Sequence, residues 1–338
     1  MKILHAPTNI GGMPYTLARA QRELGYKAVS YCMNSTPFGY EADVKLDICN
    51  NKDKLKAILN IFKFAFKFNV FHFYFSESLA KGRLYDVPFL KALGKKIFFY
   101  FCGCDIRNSK EVIAKYEFSG CKNCWPMLCS ANRDKAYRMA ERYADAIFVS
   151  TPDLIEFVPD GKWLPQPIDL EMLQNMSAKM HYQKRNNIIT VAHAPTNRNI
   201  KGSEFVIKAV NKLKKRGHKI ELNLIENLPY QRALEEYIKA DIVIDQLLIG
   251  WYGLVSIEMM ALKKPAICYI REDLYKYIAD DIPLISANIH NLAEVLENLI
   301  KNRDSWREIG EKGKLFVEKY HDSKKVAKIA LEVYKNAS

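Results

Sequence analysis

Apolar and polar positions along the chain alternate between two periods. Met1–His5 is a short apolar run that reads as a strand, and Tyr15 to about Leu24 carries the 3.6-residue repeat of a helix, stopped by Gly25. Asn69–Phe75 and the run beginning at Lys96 read as central strands, Arg133–Tyr143 as a helix and Ala146–Ser150 as a further strand. The prolines of Trp163–Asp169 mark a connection, after which the series restarts: a strand at Asn187–Val191, an amphipathic helix from Ser203 to about Arg216, and a strand at Glu221–Glu226. Asp241–Ile270 predicts a buried strand, a loop with two glycines, a helix from about Leu254, and a second strand after Pro265. Helices at Leu292–Lys301, Ser305–Tyr320 and Ser323–Asn336 follow. Strands and helices in this order predict an α/β protein with parallel sheets.

The pentapeptide His-Ala-Pro-Thr-Asn occurs twice, at His5–Asn9 and His193–Asn197, each time at a strand end and before a helix. The repeat suggests two Rossmann-like halves, although a match of five residues is also within reach of chance. We place the boundary near Pro167, giving domains 1–167 and 168–322, with the last helix, 323–338, a candidate to complete the first.

One helix does not fit a simple amphipathic scheme. Between Lys52 and Phe68 the residues Lys52, Lys56, Asn60, Lys63 and Lys67 form a narrow polar stripe, and apolar residues fill the rest. That arc is wider than one sheet face can cover. Either neighbouring helices bury its flanks, or flanks and lysines meet an anionic membrane surface.

At 338 residues and 49% hydrophobic the chain is long enough for two ordinary domains. No apolar run reaches membrane-spanning length and the chain opens directly as a strand without a signal peptide. The expected location is therefore the cytoplasm, with the inner face of the membrane a candidate docking surface. The formal charge of +13 favours anionic partners without choosing among nucleotide phosphates, lipid and nucleic acid. Eight cysteines in such a chain point to thiols or metal ligation rather than disulfides. Cys121, Cys124 and Cys129 are clustered, and Cys104 is a candidate fourth ligand for a structural zinc; thiols in an irregular insertion are the competing reading.

Two loops are suited to phosphate. Glycines let backbone N–H groups approach a ligand, and a helix that follows adds unpaired N–H groups and a positive dipole end. Tyr252-Gly253-Leu254 is one such loop, with Glu258 a turn into its helix, placed to accept hydrogen bonds from sugar hydroxyls. Gly11-Gly12 is the other; it lacks the GxGxxG spacing of a nicotinamide site, and a ligand-free tight turn is its alternative. Asp105 and Arg107 follow Gly103 at a strand end, where acceptor-site residues gather; an aspartate capping the next helix is the competing reading. His72 lies within its strand, as a core histidine or an acceptor contact. Lys201 and Arg198 are two cations at a helix start, able to neutralise a departing diphosphate.

Gly253-Leu-Val-Ser-Ile-Glu258-Met-Met-Ala-Leu-Lys-Lys-Pro265-Ala-Ile resembles the donor-site signature of retaining glycosyltransferases of the GT-B fold, particularly glycosyltransferase family 4. Asn197-Arg198-Asn-Ile-Lys201-Gly202 resembles that family's Arg and Lys-Gly pair, at a shorter spacing. The resemblance implies two Rossmann-like domains facing across a cleft and a last helix that returns to the first domain. It implies a retaining hexosyltransferase that uses a nucleotide-diphosphate sugar without catalytic metal; the wide apolar helix at 52–68 adds the expectation of a glycan or lipid-linked acceptor in cell-surface polysaccharide or glycoconjugate synthesis. It assigns Glu258 to the ribose, Glu226 to the neighbourhood of the base, Lys201 and Arg198 to catalysis, and Gly11 and Gly12 to the acceptor; from their places at or within strands, Asp105 is added to the catalytic candidates and His72 and Arg107 to the acceptor candidates. Gly250 departs from the pattern, standing where the family usually has a second glutamate. The rival functions are a sugar-nucleotide epimerase or hydrolase of the same fold, a catalytically silent relative, and a zinc-containing nucleic-acid-binding protein; no nucleic-acid motif supports the last.

Overall fold

The structure, a computed structural model, describes residues 1–124, 133–180, 182 and 187–337. Numbered through the chain, the helices are α1 (Met13–Glu23), α2 (Asn51–Lys67), α3 (Asp86–Ala92), α4 (Ser109–Lys115), α5 (Arg133–Tyr143), α6 (Leu170–Lys179), α7 (Arg198–Lys201), α8 (Ser203–Lys215), α9 (Tyr230–Lys239), α10 (Leu254–Ala261), α11 (Leu292–Lys301), α12 (Trp306–Tyr320) and α13 (Ser323–Asn336). The chain divides into two units. One holds residues 1–108, 133–167 and 322–337, the other residues 109–124 and 168–321.

The first unit is built on β1 (Lys2–Ala6), β2 (Lys27–Met33), β3 (Val44–Leu46), β4 (Val70–Tyr74), β5 (Lys96–Phe101), β6 (Ala146–Val149) and β7 (Lys162–Trp163). They run in the order β3-β2-β1-β4-β5-β6-β7 with every pairing parallel. A parallel sheet needs crossover helices on its faces, so its middle strands lose contact with water on both sides. That is why β4 and β5 read as nearly unbroken aromatic runs: every residue of β4 is buried, as are Ile97–Phe101. The chain's last helix belongs here. α13 packs beside α1, and its buried Tyr334 lies 4.5 Å, ring to ring, from Phe98. Lys96 Nζ donates to the Ala337 carbonyl at 2.7 Å.

α2 begins with a capping box, Asn50 accepting from the Lys52 and Asp53 amides and Asp53 from the Asn50 amide. Ala57, Ile61, Phe64 and Ala65 are its buried face. The remaining apolar flank is not buried: Leu55, Ile58, Leu59, Phe62 and Phe66 are all exposed. Of the two readings of this helix, burial by neighbours is therefore the one that does not hold.

The second unit has β8 (Ile189–His193), β9 (Ile220–Leu224), β10 (Ile242–Ile244), β11 (Ala266–Cys268) and β12 (Ile285–Ser286), all parallel, in the order β12-β11-β10-β8-β9. Val191, Ile242, Ile244 and Ile267 meet Val206, Val210 and Leu213 of α8 and Leu292 and Leu296 of α11 in its core. The segment 109–124 groups with this unit although a boundary at residue 167 assigns it to the first. Gly120 N–H donates to the Leu248 carbonyl at 2.7 Å, and the Phe118 ring packs edge-on to Tyr269.

Candidate functional site

In each sheet the strand order reverses beside the first strand, between β1 and β4 and between β8 and β10. Connections leave such a point to opposite faces, opening a crevice at the carboxyl ends of the strands where ligands of α/β sheets bind. The repeated pentapeptide marks both places. His193, the last residue of β8, uses Nδ1–H to donate to the Ile244 carbonyl of β10 at 2.7 Å, and its Nε2 accepts from the Ser203 hydroxyl of α8 at 2.8 Å. His5 bridges the corresponding elements in the first unit with its ring nitrogens in exchanged roles: Nδ1 accepts from the Tyr74 hydroxyl of β4 at 2.8 Å and Nε2–H donates to Gln21 Oε1 of α1 at 2.8 Å. Burial pushes both imidazoles down to about 4, so each stays neutral. The repeat thus has a structural meaning: one histidine ties the first strand to the strand across the reversal and to a following helix.

At the second reversal, Asp245 follows the last residue of β10 and is the centre of a polar cluster. Its Oδ1 accepts from Lys201 Nζ at 2.8 Å, and its Oδ2 from the Gly253 N–H at 2.8 Å and the Ser256 hydroxyl at 2.9 Å. Burial pushes its carboxyl up, but the Lys201 ammonium, the Gly253 amide and the Ser256 hydroxyl outweigh it and hold the group below its ordinary value. Gly253 leaves close room here. A Cβ on it would lie 3.2 Å from Asp245 Oδ2 and 3.6 Å from Lys201 Nζ. α10 then starts at Leu254 without a side-chain cap, and residues 253–255 are half-buried rather than sealed. Lys201 and the amide-rich end of α10 are therefore neighbours, organised by a carboxylate between them.

Glu258 lies one turn into α10 and is 3% exposed. Its Oε1 accepts from the Tyr230 hydroxyl at the start of α9 at 2.7 Å. Burial pushes the carboxyl up to about 8, against the pull of Tyr230 and with a contribution from the Asp245 charge. Arg198 and Glu226 meet as a two-pronged pair, Nε to Oε1 at 2.8 Å and Nη2 to Oε2 at 2.5 Å. Tyr252 is buried, its hydroxyl 3.0 Å from His321 Nε2, so only its backbone can serve a ligand.

Gly250 departs from the glutamate pattern for a visible reason. Its φ is +88°, and a Cβ there would come within 2.7 Å of Arg271 Cδ and 2.8 Å of its Cγ. The Arg271 guanidinium lies 3.7 Å from the centre of the Tyr116 ring and bonds both oxygens of Asp273, at 2.9 and 2.7 Å. An arginine stem occupies the space that a side chain at position 250 would fill.

In the first unit, Gly11 and Gly12 take left-handed φ angles of 58° and 74° and lead into α1, with Gly12 as its N-cap. Asp105 does not cap the helix after it. Its carboxylate folds back onto the Cys102 and Gly103 amides, with Oδ1 at 3.0 and 2.7 Å, and burial pushes it up to about 7. Arg107 donates to Asp153 at 2.6 Å, both side chains nearly buried. His72 is a core residue: fully buried, hydrogen-bonded to Tyr334, stacked on Tyr74, and held by burial well below its ordinary value. That placement corrects its assignment to the acceptor, because the ring touches only the interior. Cys104, Cys121 and Cys124 are half-buried, and Cys129 lies outside the described residues. Among the described residues no group of three or more His, Cys, Asp or Glu side chains is placed to hold a metal ion.

No family model matches the chain, and no curated protein matches it in sequence. Solved structures do. The chain is similar to HepE from Anabaena in complex with UDP and glucose, with a TM-score of 0.66 at 12% identity over 99% of this chain and 100% of that one. It matches a glycosyltransferase from Rickettsia africae equally, TM-score 0.66 at 14% identity, over 99% and 97% of the two chains. This chain has the GT-B fold. A UDP-GlcNAc 2-epimerase from Methanocaldococcus jannaschii has a GT-B structure similar to it as well, TM-score 0.56 at 10% identity over 99% and 100%. A GT-B fold hosts both chemistries, so function has to be argued from the site. There, sequence reading singled out Lys201, Gly253 and Glu258, which one unit brings together, but missed Asp245 and the pairing of Tyr230 with Glu258. An acidic residue at a strand's carboxyl end, just ahead of a glycine loop, was the available signal for Asp245. The Tyr230 pairing had none.

Proposed function

We propose that the protein transfers a hexosyl group from a nucleoside-diphosphate sugar, with retention, to a glycan or lipid-linked acceptor in cell-surface polysaccharide or glycoconjugate synthesis. The observation that carries this reading is the meeting of the Lys201 ammonium with the uncapped start of α10 at the second strand reversal, with Glu258 one turn further on. Phosphate oxygens suit that pairing of a point charge with helix N–H groups. Asp245 orients Lys201 through one ammonium proton, which leaves the others and the Leu254 and Val255 amides for the diphosphate. Arg198 joins them by exchanging Glu226 for phosphate. Glu258, released from Tyr230, accepts from the ribose hydroxyls. As the bond from the anomeric carbon to phosphate oxygen breaks, these groups take up the developing charge. The acceptor hydroxyl forms the new bond on the same face and its proton passes to the departing phosphate oxygen. The acceptor falls to the first unit, with Gly11, Gly12 and Arg107 the candidate contacts.

HepE holds UDP and glucose, which makes UDP-glucose the first donor to try. A thermal-shift series of nucleoside diphosphates and their sugars is the test, since a ligand that binds only the folded state raises its apparent stability. A rise with UDP or a UDP-sugar supports the reading; flat curves across all nucleoside diphosphates would refute it. The epimerase likeness favours one other reading, a sugar-nucleotide epimerase. Incubating the bound UDP-sugar without acceptor separates the two, because an epimerase converts the donor alone.

A further inference from the structure

We propose that α2 is a membrane-docking helix, lying in the plane of an anionic bilayer with Leu55, Ile58, Leu59, Phe62 and Phe66 among the acyl chains. These residues recur at three- and four-residue spacing, so they form one stripe along the helix. They are 58%, 45%, 58%, 50% and 77% exposed, on a helix whose other apolar face, Ala57, Ile61, Phe64 and Ala65, already fills the core. A soluble helix of this kind shows water a polar back; this one shows it leucine and phenylalanine. The patch continues onto α3, where Phe89 packs edge-on to Phe62 at 5.7 Å.

Charge selects the occupant. Lys52, Lys56, Lys63 and Lys67 run along one edge of the stripe and Lys54 along the other, all exposed, and among the described residues none is ion-paired. The one acid of α2, Asp53, accepts from the Cys49 and Asn50 amides in the capping box. Two copies meeting on this face would bring lysine against lysine, and α2 itself supplies no free carboxylate to pair them. An anionic lipid surface supplies both the missing countercharge and the apolar layer at the depth the stripe needs. No helix of the described residues is long and apolar enough to cross a membrane, so the docking is in-plane. The inference rests on the first unit's surface and stands or falls independently of the nucleotide site.

Flotation of the full chain with phosphatidylcholine vesicles, with and without phosphatidylglycerol, tests it. The protein should float with the anionic vesicles, less so at raised salt, and stay behind with the neutral ones. Phe62→Asp with Phe66→Asp should lower the bound fraction roughly tenfold or more, while Leu315→Asp, at an equally exposed apolar position on α12, leaves it unchanged. If the double variant also lowers the melting temperature, Phe66→Ser alone is read in its place. Wild-type protein that does not float, equal loss from Leu315→Asp, or a concentration-dependent dimer in sedimentation that Phe66→Ser abolishes would each overturn the proposal.

Discussion

Glu258→Gln should make the protein more stable and a weaker nucleotide binder. The wild-type carboxyl is pushed up to about 8 in the folded chain, from an ordinary value of 4.5. Between those values the folded state holds a proton that the unfolded state has released, so stability falls as pH rises. The contribution is present in full below 4.5, declines from there, and levels off above about 8. At 1.36 kcal/mol per unit, the burial of Glu258 costs about 3 kcal/mol at pH 7. Glutamine has the shape of the protonated acid and can still accept from the Tyr230 hydroxyl, but carries no proton to lose. Calorimetry from pH 5 to 9 should therefore show the variant melting roughly 6–12 °C above wild type near neutrality, for a unit of this size. The gap should close towards pH 5. If Glu258 receives ribose hydroxyls, binding favours the ionised form: UDP should release protons when it binds near pH 7, and the variant should bind it about tenfold or more weakly. Parallel stability curves for variant and wild type across that range would refute the reasoning.

Asp245→Asn removes the charge that Lys201, Gly253 and Ser256 converge on, and should cost about 2–4 kcal/mol in urea denaturation at pH 7. Because the folded Asp245 carboxyl is held below its ordinary 3.8, its contribution stands above that value and fades as pH falls further; the gap between variant and wild type should narrow in acid. Gly250→Glu combines an unfavourable positive φ with a clash against the Arg271 stem and should cost about 2–3 kcal/mol, part of it recovered by Arg271→Ala in the same chain, as a double-mutant cycle would measure. Tyr334→Phe takes the Nδ1 partner from His72, whose buried Nε2 already lacks one, and should cost about 1–3 kcal/mol, read as faster hydrogen exchange in α13.

Local pattern alone determined much of this protein. The helix starts and stops at Leu254, Leu292, Lys301, Ser323 and Asn336 follow from the 3.6 repeat, helped by Gly253 ahead of Leu254 and by Asp322 capping the start at Ser323, all of which act within a few residues. The repeated His-Ala-Pro-Thr-Asn marked the first strand of each sheet, and in each a buried histidine of the repeat bridges two elements. Lys201, Gly253 and Glu258 were legible since loop and helix chemistry is local. What tertiary structure decided is which neighbours these groups have. Asp245 sits between Lys201 and Gly253 because β8 and β10 are adjacent in the sheet though some 50 residues separate them in the chain. His72 lies in the core because β4 is a central strand of the sheet, and α13 supplies its buried partner Tyr334 from 262 residues away. The stripe on α2 reads like any core face in sequence. Only its exposure in the folded unit distinguishes the two, and coverage is a property of the whole fold rather than of the helix.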